Sequence, residues 1–381
     1  MLNPAELARY SRQIRLEELG SAGQERLSSS RVLVAGLGGL GGPAALYLAA
    51  AGVGTLGLAD FDLVEEHNLH RQILFDSGSV GSPKVAAAAA RLRAANPLVR
   101  VVGHPEGVTP ANAIALFSSY DVIMDGTDTF SSRYLNNDAA VLSGRPLVHG
   151  SVFKFQGQVT VFDTSKGGPC HRCLHPEPPP PASVPSCGDA GVLGALCGVI
   201  GSFQALEALK LACGLGEPLR GIMLVIDALG NGLHSFRFAR NPGCPVCGGN
   251  PSILSLGQPA ATADPAEPMA QAAAYPIEIP VEEARRLVDA EPEGTLIVDV
   301  REPHEFEICS IAGSELIPLG QLPGRARSLP SGRRLLLLCH HGRRSMAATE
   351  FLRAHGHGSA SSVAGGIDAW ARRIDPGMRK Y

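Results

Sequence analysis

Three glycines in the segment GLGGLG have the spacing of a phosphate-binding turn. Gly36, Gly38 and Gly41 follow the apolar run 32–35 and precede an apolar helical pattern, the strand–turn–helix context in which G-x-G-x-x-G binds nucleotides. Glycine permits the tight turn and lets backbone amides approach a phosphate at the helix N-terminus. Asp60 ends a second predicted strand, where a carboxylate would meet a ribose hydroxyl. The segment predicts a nucleotide site, with NAD(P) and ATP both compatible.

Polar residues farther along the chain favour a nucleoside triphosphate. They follow the carboxyl ends of consecutive predicted strands, where an adenylating enzyme needs cations on the phosphates and a carboxylate for Mg²⁺. A single residue of these types is more often a solvated surface residue. The prediction of a triphosphate site therefore depends on their occurrence together. An NAD(P)-linked oxidoreductase, which needs only the glycine turn and Asp60, is the alternative. The set comprises Asn68, Arg71, Gln72, Lys84 and Asp128.

Four of the nine cysteines form two C-x-x-C pairs. Cys170 with Cys173 and Cys244 with Cys247 have the spacing of a tetrathiolate zinc site, in which each pair turns both sulfurs toward one metal. Such a site leaves no open position, so we expect structural Zn²⁺. The alternative is four reduced surface thiols.

Cys339 lies between an apolar strand and a predicted helix, in the segment CHHGRRS. Consecutive backbone N–H groups around a thiol form an anion nest, and Arg343 and Arg344 add positive charge. Ser345 would close the loop by hydrogen bonding. The pattern predicts a nucleophilic or sulfur-carrying cysteine, and a buried structural cysteine is the alternative.

Cys187, in PSCGDAGVLG, precedes a predicted helix. A helix N-terminus lowers the pKa of a thiol and makes it nucleophilic. A small buried residue is an equally good interpretation of this placement alone.

Strands and helices alternate over the first 150 residues, which predicts a doubly wound α/β sheet. Residues 165–190 interrupt this rhythm with a long loop, and residues 251–275, rich in Pro, Ala and Gln, form a predicted linker. We therefore expect a domain over 1–250, the linker over 251–275 and a smaller α/β domain over 276–381. The predicted helices cover one or two segments within 2–27, then 83–95, 130–142, 194–212 and 343–355. The predicted strands, besides the run 32–35, are one that ends at Asp60 and then 99–102, 122–124, 147–150, 158–162, 223–227, 296–300 and 335–338.

Composition excludes several classes of protein. The net charge of −3 and the lack of a basic face argue against nucleic acid as a partner. The most apolar stretch, 191–203, is expected to be a buried core helix, too short to span a membrane. No signal peptide is visible, and the odd number of cysteines fits a reducing compartment. We expect a cytoplasmic protein with no membrane partner.

With these motifs identified, residues 5–250 resemble the MoeB/ThiF family, bacterial relatives of ubiquitin-activating enzymes. Residues 276–381 resemble a rhodanese domain, with the motif DVRE at 299–302 and the loop 339–345. The loop CHHGRRS differs from the frequent C-[RK]-x-G-x-x-S, which leaves its sulfur donor open. The segments that match the first family are RYSRQIRL, GLGGLG, ADFDLVEEHNLHRQ, VGSPKV, DGTDTFSSRYLNND, PCHRCL, CGDAGVLG and NPGCPVCG.

The resemblance implies a doubly wound, Rossmann-like adenylating domain fused to a smaller α/β rhodanese domain. It implies ATP on the turn around Gly39 with its ribose on Asp60, and Mg²⁺ held with help from Asp128. Arg12 matches an N-terminal arginine that reaches the ATP site of the neighbouring subunit, so a homodimer is implied. The residues implied to contact the phosphates are Asn68, Arg71 and Lys84.

The implied reaction is adenylation of the C-terminal Gly-Gly carboxylate of a small ubiquitin-like sulfur-carrier protein. A persulfide on Cys339 would then supply sulfur and give a thiocarboxylate, as in molybdopterin, thiamine or thiolation pathways. The donor would be a cysteine desulfurase persulfide or thiosulfate. Cys187 matches a cysteine that some members use for an acyl or disulfide intermediate. A non-catalytic carrier-binding scaffold is a further alternative.

Overall fold

A computed structural model describes residues 1–178, 191–256, 275–330 and 332–381. The first two of these ranges form one compact unit and the last two form a second. Cys187 and most of the predicted linker lie outside the described residues. The domain boundaries thus stay predictions.

The first unit is built on an eight-stranded sheet with the order β3-β2-β1-β4-β5-β6-β7-β8. Strands β1 to β5 pair in parallel, whereas β6, β7 and β8 are antiparallel to their neighbours. The strands are Arg31–Ala35 (β1), Thr55–Ala59 (β2), Arg100–His104 (β3), Val122–Asp125 (β4), Leu147–Phe153 (β5), Gln156–Phe162 (β6), Ile222–Asp227 (β7) and Gly232–Arg237 (β8).

The parallel half of this sheet is buried because helices cover it, as crossover connections between parallel strands require. In β1, every residue after Arg31 is buried. Short 3₁₀ helices lie at Glu66–Asn68, Ser77–Ser79, Thr164–Lys166, Leu319–Gln321 and Ala326–Ser328. The helices of the first unit are Pro4–Arg9 (α1), Ser11–Ile14 (α2), Gly20–Ser29 (α3), Gly41–Ala51 (α4), Lys84–Ala95 (α5), Ala113–Ser118 (α6), Phe130–Ser143 (α7), His171–Leu174 (α8) and Gly194–Cys213 (α9).

The predicted doubly wound α/β class is confirmed, with three differences. The amino-terminal segment forms three helices rather than one or two, because α1 is capped by Asn3 and ends at buried Tyr10. Strand β8, which is largely exposed, and the short helices α6 and α8 were not predicted, since none of them has a clear periodic pattern, and α8 lies within the predicted loop 165–190. Strand β5 extends to Phe153, three residues beyond its predicted end.

Among the described residues, helix α9 is long and apolar enough to cross a membrane by length and composition alone. The apolar run 191–203 is by itself shorter than a membrane span, and the helix passes this test of length because it continues to Cys213, one residue beyond its predicted end. Half of its apolar window is buried. It packs against α4, β5 and β6, as a core helix does.

The second unit is a five-stranded parallel sheet with the order β11-β10-β12-β13-β9. The short strands β9, β11 and β13 were not predicted because runs of two or three residues carry no readable pattern. The elements are Glu278–Ile279 (β9), Val281–Ala290 (α10), Thr295–Asp299 (β10), Pro303–Ile308 (α11), Glu315–Leu316 (β11), Leu322–Arg325 (α12), Arg334–Leu338 (β12), Arg343–Ala354 (α13), Ser361–Val363 (β13) and Gly366–Arg373 (α14).

Candidate active site

The glycine turn joins β1 to α4 at the carboxyl end of the sheet. Gly36 has a φ of +87°, which favours glycine, and a Cβ on Gly41 would overlap the carbonyl oxygen of Gly36. Asp60 accepts hydrogen bonds from the backbone N–H groups of Leu37 (2.7 Å) and Asp62 (2.8 Å). Its carboxylate therefore fixes the turn, in addition to the ribose contact predicted for it.

A cavity of about 610 Å³ opens above this turn. The turn and the residues predicted to bind phosphate all line it, although they come from separate segments of the chain. Parallel strands bring these segments together because their carboxyl ends meet at one edge of the sheet. The predicted residues in its wall are Gly36, Gly38, Gly39, Asp60, Asn68, Arg71, Gln72, Lys84 and Asp128.

Lys84 begins helix α5 and is only 5% exposed. Its Nζ lies 2.8 Å from Oδ2 of Asp62, a residue that also lines the cavity and that the sequence motifs did not single out. A buried ammonium needs such a partner. This ion pair fixes the position of the Lys84 ammonium in the cavity wall.

Buried polar atoms around the cavity fit a polar ligand. Oε1 of Gln72, Nε of Arg133 and Oδ1 of Asn136 are buried, and each lacks a hydrogen-bond partner among the described residues. All three residues line the cavity. Since buried polar groups are nearly always paired, this wall suits the many acceptors and donors of a nucleotide.

The two predicted cysteine pairs meet in one cluster, although more than seventy residues separate them. Sγ of Cys170 lies 3.9 Å from that of Cys173 and 3.6 Å from that of Cys244, and Cys173 lies 3.4 Å from Cys247. Tetrahedral zinc with Zn–S bonds of about 2.3 Å requires sulfurs about 3.8 Å apart. The four thiols therefore fit a metal ion and could hold one.

Cys339 follows β12 and is 1% exposed. The backbone N–H of Gly342 donates to its Sγ at 3.1 Å, and Oγ of Ser345 lies 3.5 Å from the sulfur. Gly342 has a φ of +98°, a conformation that turns its N–H inward and that other residues rarely adopt. Of the predicted nest, the structure shows one backbone N–H donated to the sulfur, that of Gly342, with the hydroxyl of Ser345 beside it.

Family comparisons agree with this geometry. A model of the ThiF family matches residues 10–246, more than half of the chain. The chain belongs to the ThiF family. A rhodanese-like domain model matches residues 280–373, so we call the two units the ThiF unit and the rhodanese unit.

Relatives of this ThiF-family chain share both units. A probable adenylyltransferase/sulfurtransferase MoeZ of Mycobacterium tuberculosis is 44% identical over 386 residues, covering all of this chain and 96% of that protein. The MOCS3 adenylyltransferase and sulfurtransferase of Arabidopsis thaliana is 39% identical, covering all of this chain and 86% of that protein. The predicted enzyme class, an adenylyltransferase with sulfurtransferase activity, is confirmed.

Two further comparisons concern the ThiF unit. A sulfur carrier protein adenylyltransferase of Thermus thermophilus is 51% identical over 255 residues, covering 66% of this chain and 94% of that protein. The crystal structure of E. coli MccB with ATP has a TM-score of 0.56 at 21% identity, covering 63% of this chain and 74% of that chain. At this identity the structural likeness shows the fold alone.

Two described residues predicted for the nucleotide site, Gly41 at the start of α4 and Arg12, do not line the cavity of the ThiF unit. Arg12, on α2, is exposed and does not line the cavity. Cys187 lies outside the described residues. Asp128 does line the cavity and is exposed there, where it would be accessible to a cation.

Sequence motifs missed the buried support beneath the cavity. Asp125 is fully buried and accepts hydrogen bonds from Nδ1 of His149 (3.0 Å), Oγ1 of Thr127 (2.6 Å) and Nδ2 of Asn136 (3.0 Å). Burial opposes its charge, but these bonds outweigh it and hold the pKa of Asp125 below its usual range. Only the position of Asp125 at the end of a predicted strand could have indicated its role.

The sequence predicts that Arg344 adds positive charge at Cys339. In the rhodanese unit its guanidinium is instead paired with a carboxylate. Its guanidinium donates to both carboxylate oxygens of Glu305, at 2.7 and 2.8 Å. Burial opposes the charge of Glu305, yet the bonds from Arg344 lower its pKa to about 2. Asp299 forms a similar buried pair with Arg301, at 2.6 Å. The pair of Arg344 and Glu305 anchors the loop, and exposed Arg343 forms no ion pair within the part of the chain that the structure describes.

Proposed function

We propose that this protein adenylates the C-terminal Gly-Gly carboxylate of a small ubiquitin-like sulfur-carrier protein and then converts it to a thiocarboxylate. The observation that carries the proposal is the cavity of the ThiF unit, which gathers the glycine turn, Arg71, Lys84 and Asp128. The name of the Thermus thermophilus relative, a sulfur carrier protein adenylyltransferase, supports the choice of partner.

In the first step, a carboxylate oxygen of the carrier attacks the α-phosphorus of ATP and expels pyrophosphate, which gives an acyl-adenylate. Lys84 and Arg71 stabilise the negative charge that the leaving pyrophosphate gains. Asn68 binds phosphate oxygen through its amide, and Asp60 binds the ribose. Bound Mg²⁺ would neutralise phosphate charge, and Asp128 is the residue that would hold it.

Arg12 completes the site in this proposal. Its exposure on the surface of the ThiF unit suits an arginine that reaches the ATP site of a second copy. The working enzyme is then a homodimer. Zn²⁺ on the four clustered cysteines has a structural role, since the site offers no open position.

In the second step, Cys339 carries the sulfur. With thiosulfate as donor, the thiolate attacks the outer sulfur, forms a persulfide and releases sulfite; with a cysteine desulfurase persulfide, it releases the desulfurase thiolate. The terminal persulfide sulfur then attacks the acyl-adenylate carbonyl and expels AMP, which leaves an acyl disulfide on Cys339.

A thiolate must then attack the Cys339 sulfur to release the thiocarboxylate, and Cys187 is our candidate for it. That exchange leaves a disulfide between the two cysteines, which a cellular thiol reduces. The cytoplasm supplies such thiols, and we propose it as the compartment. Molybdopterin, thiamine and thiolation pathways all contain a carrier of this chemistry.

ATP–pyrophosphate exchange tests the proposal. We expect exchange only when a carrier ending in Gly-Gly is added, and no exchange with the same carrier lacking its last glycine. Binding of the carrier without exchange would instead favour the scaffold alternative. Exchange without any carrier would remove the proposed substrate.

A further inference from the structure

Tyr381 contacts one end of the sulfur-transfer loop, residues 339–345, directly and the other end through Glu305. Its ring stacks on His340, the residue after Cys339, with centroids 4.4 Å apart and planes inclined by 7°. Its hydroxyl donates to Oε1 of Glu305 at 3.0 Å. Glu305 in turn holds Arg344, near the other end of the loop.

The hydroxyl of Tyr381 is fixed from two sides. Nη1 of Arg301 donates to it at 2.7 Å, and the hydroxyl donates its own hydrogen bond to Glu305. The Arg301 side chain is fully buried and is itself held by Asp299. A hydroxyl that accepts from one buried charged group and donates to another has its direction fully determined.

The ring of Tyr381 also extends a stack of three rings. His341 stacks on the opposite side of His340, with centroids 3.9 Å apart. Burial, and then the neighbouring His341, lower the pKa of His340 to about 4. The middle ring is thus neutral near pH 7, and two aromatic neighbours hold it by contact rather than by charge.

Order in this loop matters for the sulfur chemistry. Cys339 is stabilised by the N–H of Gly342, which lies between the stacked histidines and Arg344. A loop released at either end would let this N–H swing away from the sulfur. Misplacement of a catalytic group by about 1 Å can cost about 100-fold in rate.

We propose that Tyr381 is a positioning residue for sulfur transfer: its ring fixes His340 and its hydroxyl fixes Arg344 through Glu305, which together hold the Gly342 N–H on Cys339. This inference rests on the proposed role of Cys339 as the sulfur carrier. It adds a residue that no motif of the sequence indicated.

The test uses the full-length protein and thiosulfate with cyanide, which yield sulfite and thiocyanate through the Cys339 persulfide. We expect Tyr381→Ala to lower kcat by about 10- to 100-fold, while KM for thiosulfate changes by less than about twofold. Tyr381→Phe keeps the stack and should retain most of the activity, with a loss of about threefold to tenfold for the missing hydroxyl. Tyr275→Ala is the matched control, since Tyr275 is similarly exposed (44%, against 41% for Tyr381) and packs on Arg334.

A second measurement separates positioning from stability and from the proposed function. Alkylation of Cys339 by iodoacetamide, followed by peptide mass spectrometry, should be faster in Tyr381→Ala than in the wild type. The fluorescence of buried Trp370 should be the same in both proteins, which shows that the rhodanese unit of the variant is folded. Wild-type kcat or an unchanged alkylation rate in Tyr381→Ala would overturn the inference. If the wild type transfers no sulfur, the role of Cys339 fails, and the alkylation rates still decide whether Tyr381 holds the loop.

Discussion

Nζ of Lys84 lies 2.8 Å from Oδ2 of Asp62 in the wall of the nucleotide cavity. The two side chains differ in exposure, 6% for the lysine and 53% for the aspartate. The aspartate therefore holds a buried cation from the solvent side. An anionic phosphate entering the cavity would meet an ammonium whose position is already set.

Replacing Lys84 should remove adenylation. We expect Lys84→Ala to lower carrier-dependent ATP–pyrophosphate exchange by about 100- to 1000-fold, the typical cost of losing a group that stabilises developing charge. Lys166→Ala is the control, since Lys166 is exposed and outside this cavity. An exchange rate equal to that of the control would exclude Lys84 from the triphosphate site.

Removing one clustered thiol should remove the metal. In Cys170→Ser, we expect zinc content, measured by elemental analysis, to fall from about one ion per chain to near zero. The Tm of the ThiF unit should fall as well, because metal binding and folding are coupled. Cys213→Ala, which removes a buried thiol on helix α9, should leave the zinc content unchanged. A zinc-free wild type would refute the assignment.

A single substitution at Cys339 should separate the two proposed activities. Cys339→Ala should abolish sulfur transfer from thiosulfate, because it removes the thiol proposed to carry the sulfur, and should leave ATP–pyrophosphate exchange unchanged. Cys309→Ala, in the same unit, is the control for loss of a thiol. Loss of exchange in Cys339→Ala would mean that the two activities are not divided as proposed.

The pair of Glu305 and Arg344 predicts a pH dependence of stability. The pKa of Glu305 is about 2 in the folded protein, against an ordinary value of 4.5. Its contribution is therefore fully present above pH 4.5 and is lost as the pH falls toward 2. The shift corresponds to a contribution on the order of 3 kcal/mol at neutral pH.

Trp370 is the single tryptophan and is buried in the rhodanese unit, so its fluorescence reports unfolding there. In urea at pH 7, Glu305→Gln should unfold at a lower concentration than the wild type. The difference should shrink between pH 4.5 and 2. Glu315→Gln, in a half-exposed pair with Arg325, should change stability by less than about 1 kcal/mol. A constant difference at all pH values would contradict the assignment.

The sequence by itself determined the two α/β units, the glycine turn and the identity of the cavity residues proposed to bind the phosphates. Each of these follows from a local pattern: an apolar strand, a Gly36-x-Gly38 turn, or a polar residue at the end of a strand. Parallel strands then guarantee that such ends meet at one edge, so the cavity itself was predictable. The C-x-x-C spacing likewise determined which four thiols converge.

Only the tertiary structure decided the partners of the charged groups. Lys84 pairs with Asp62, Asp125 is buried beside His149, and Tyr381 stacks on His340. No regular spacing in the sequence relates the partners of these contacts. Arg344 illustrates the reason: its position in the loop suggested a role at the thiolate, but a carboxylate 39 residues away pairs with it. Packing determines which opposite charge lies within hydrogen-bond distance, and no local pattern encodes that distance.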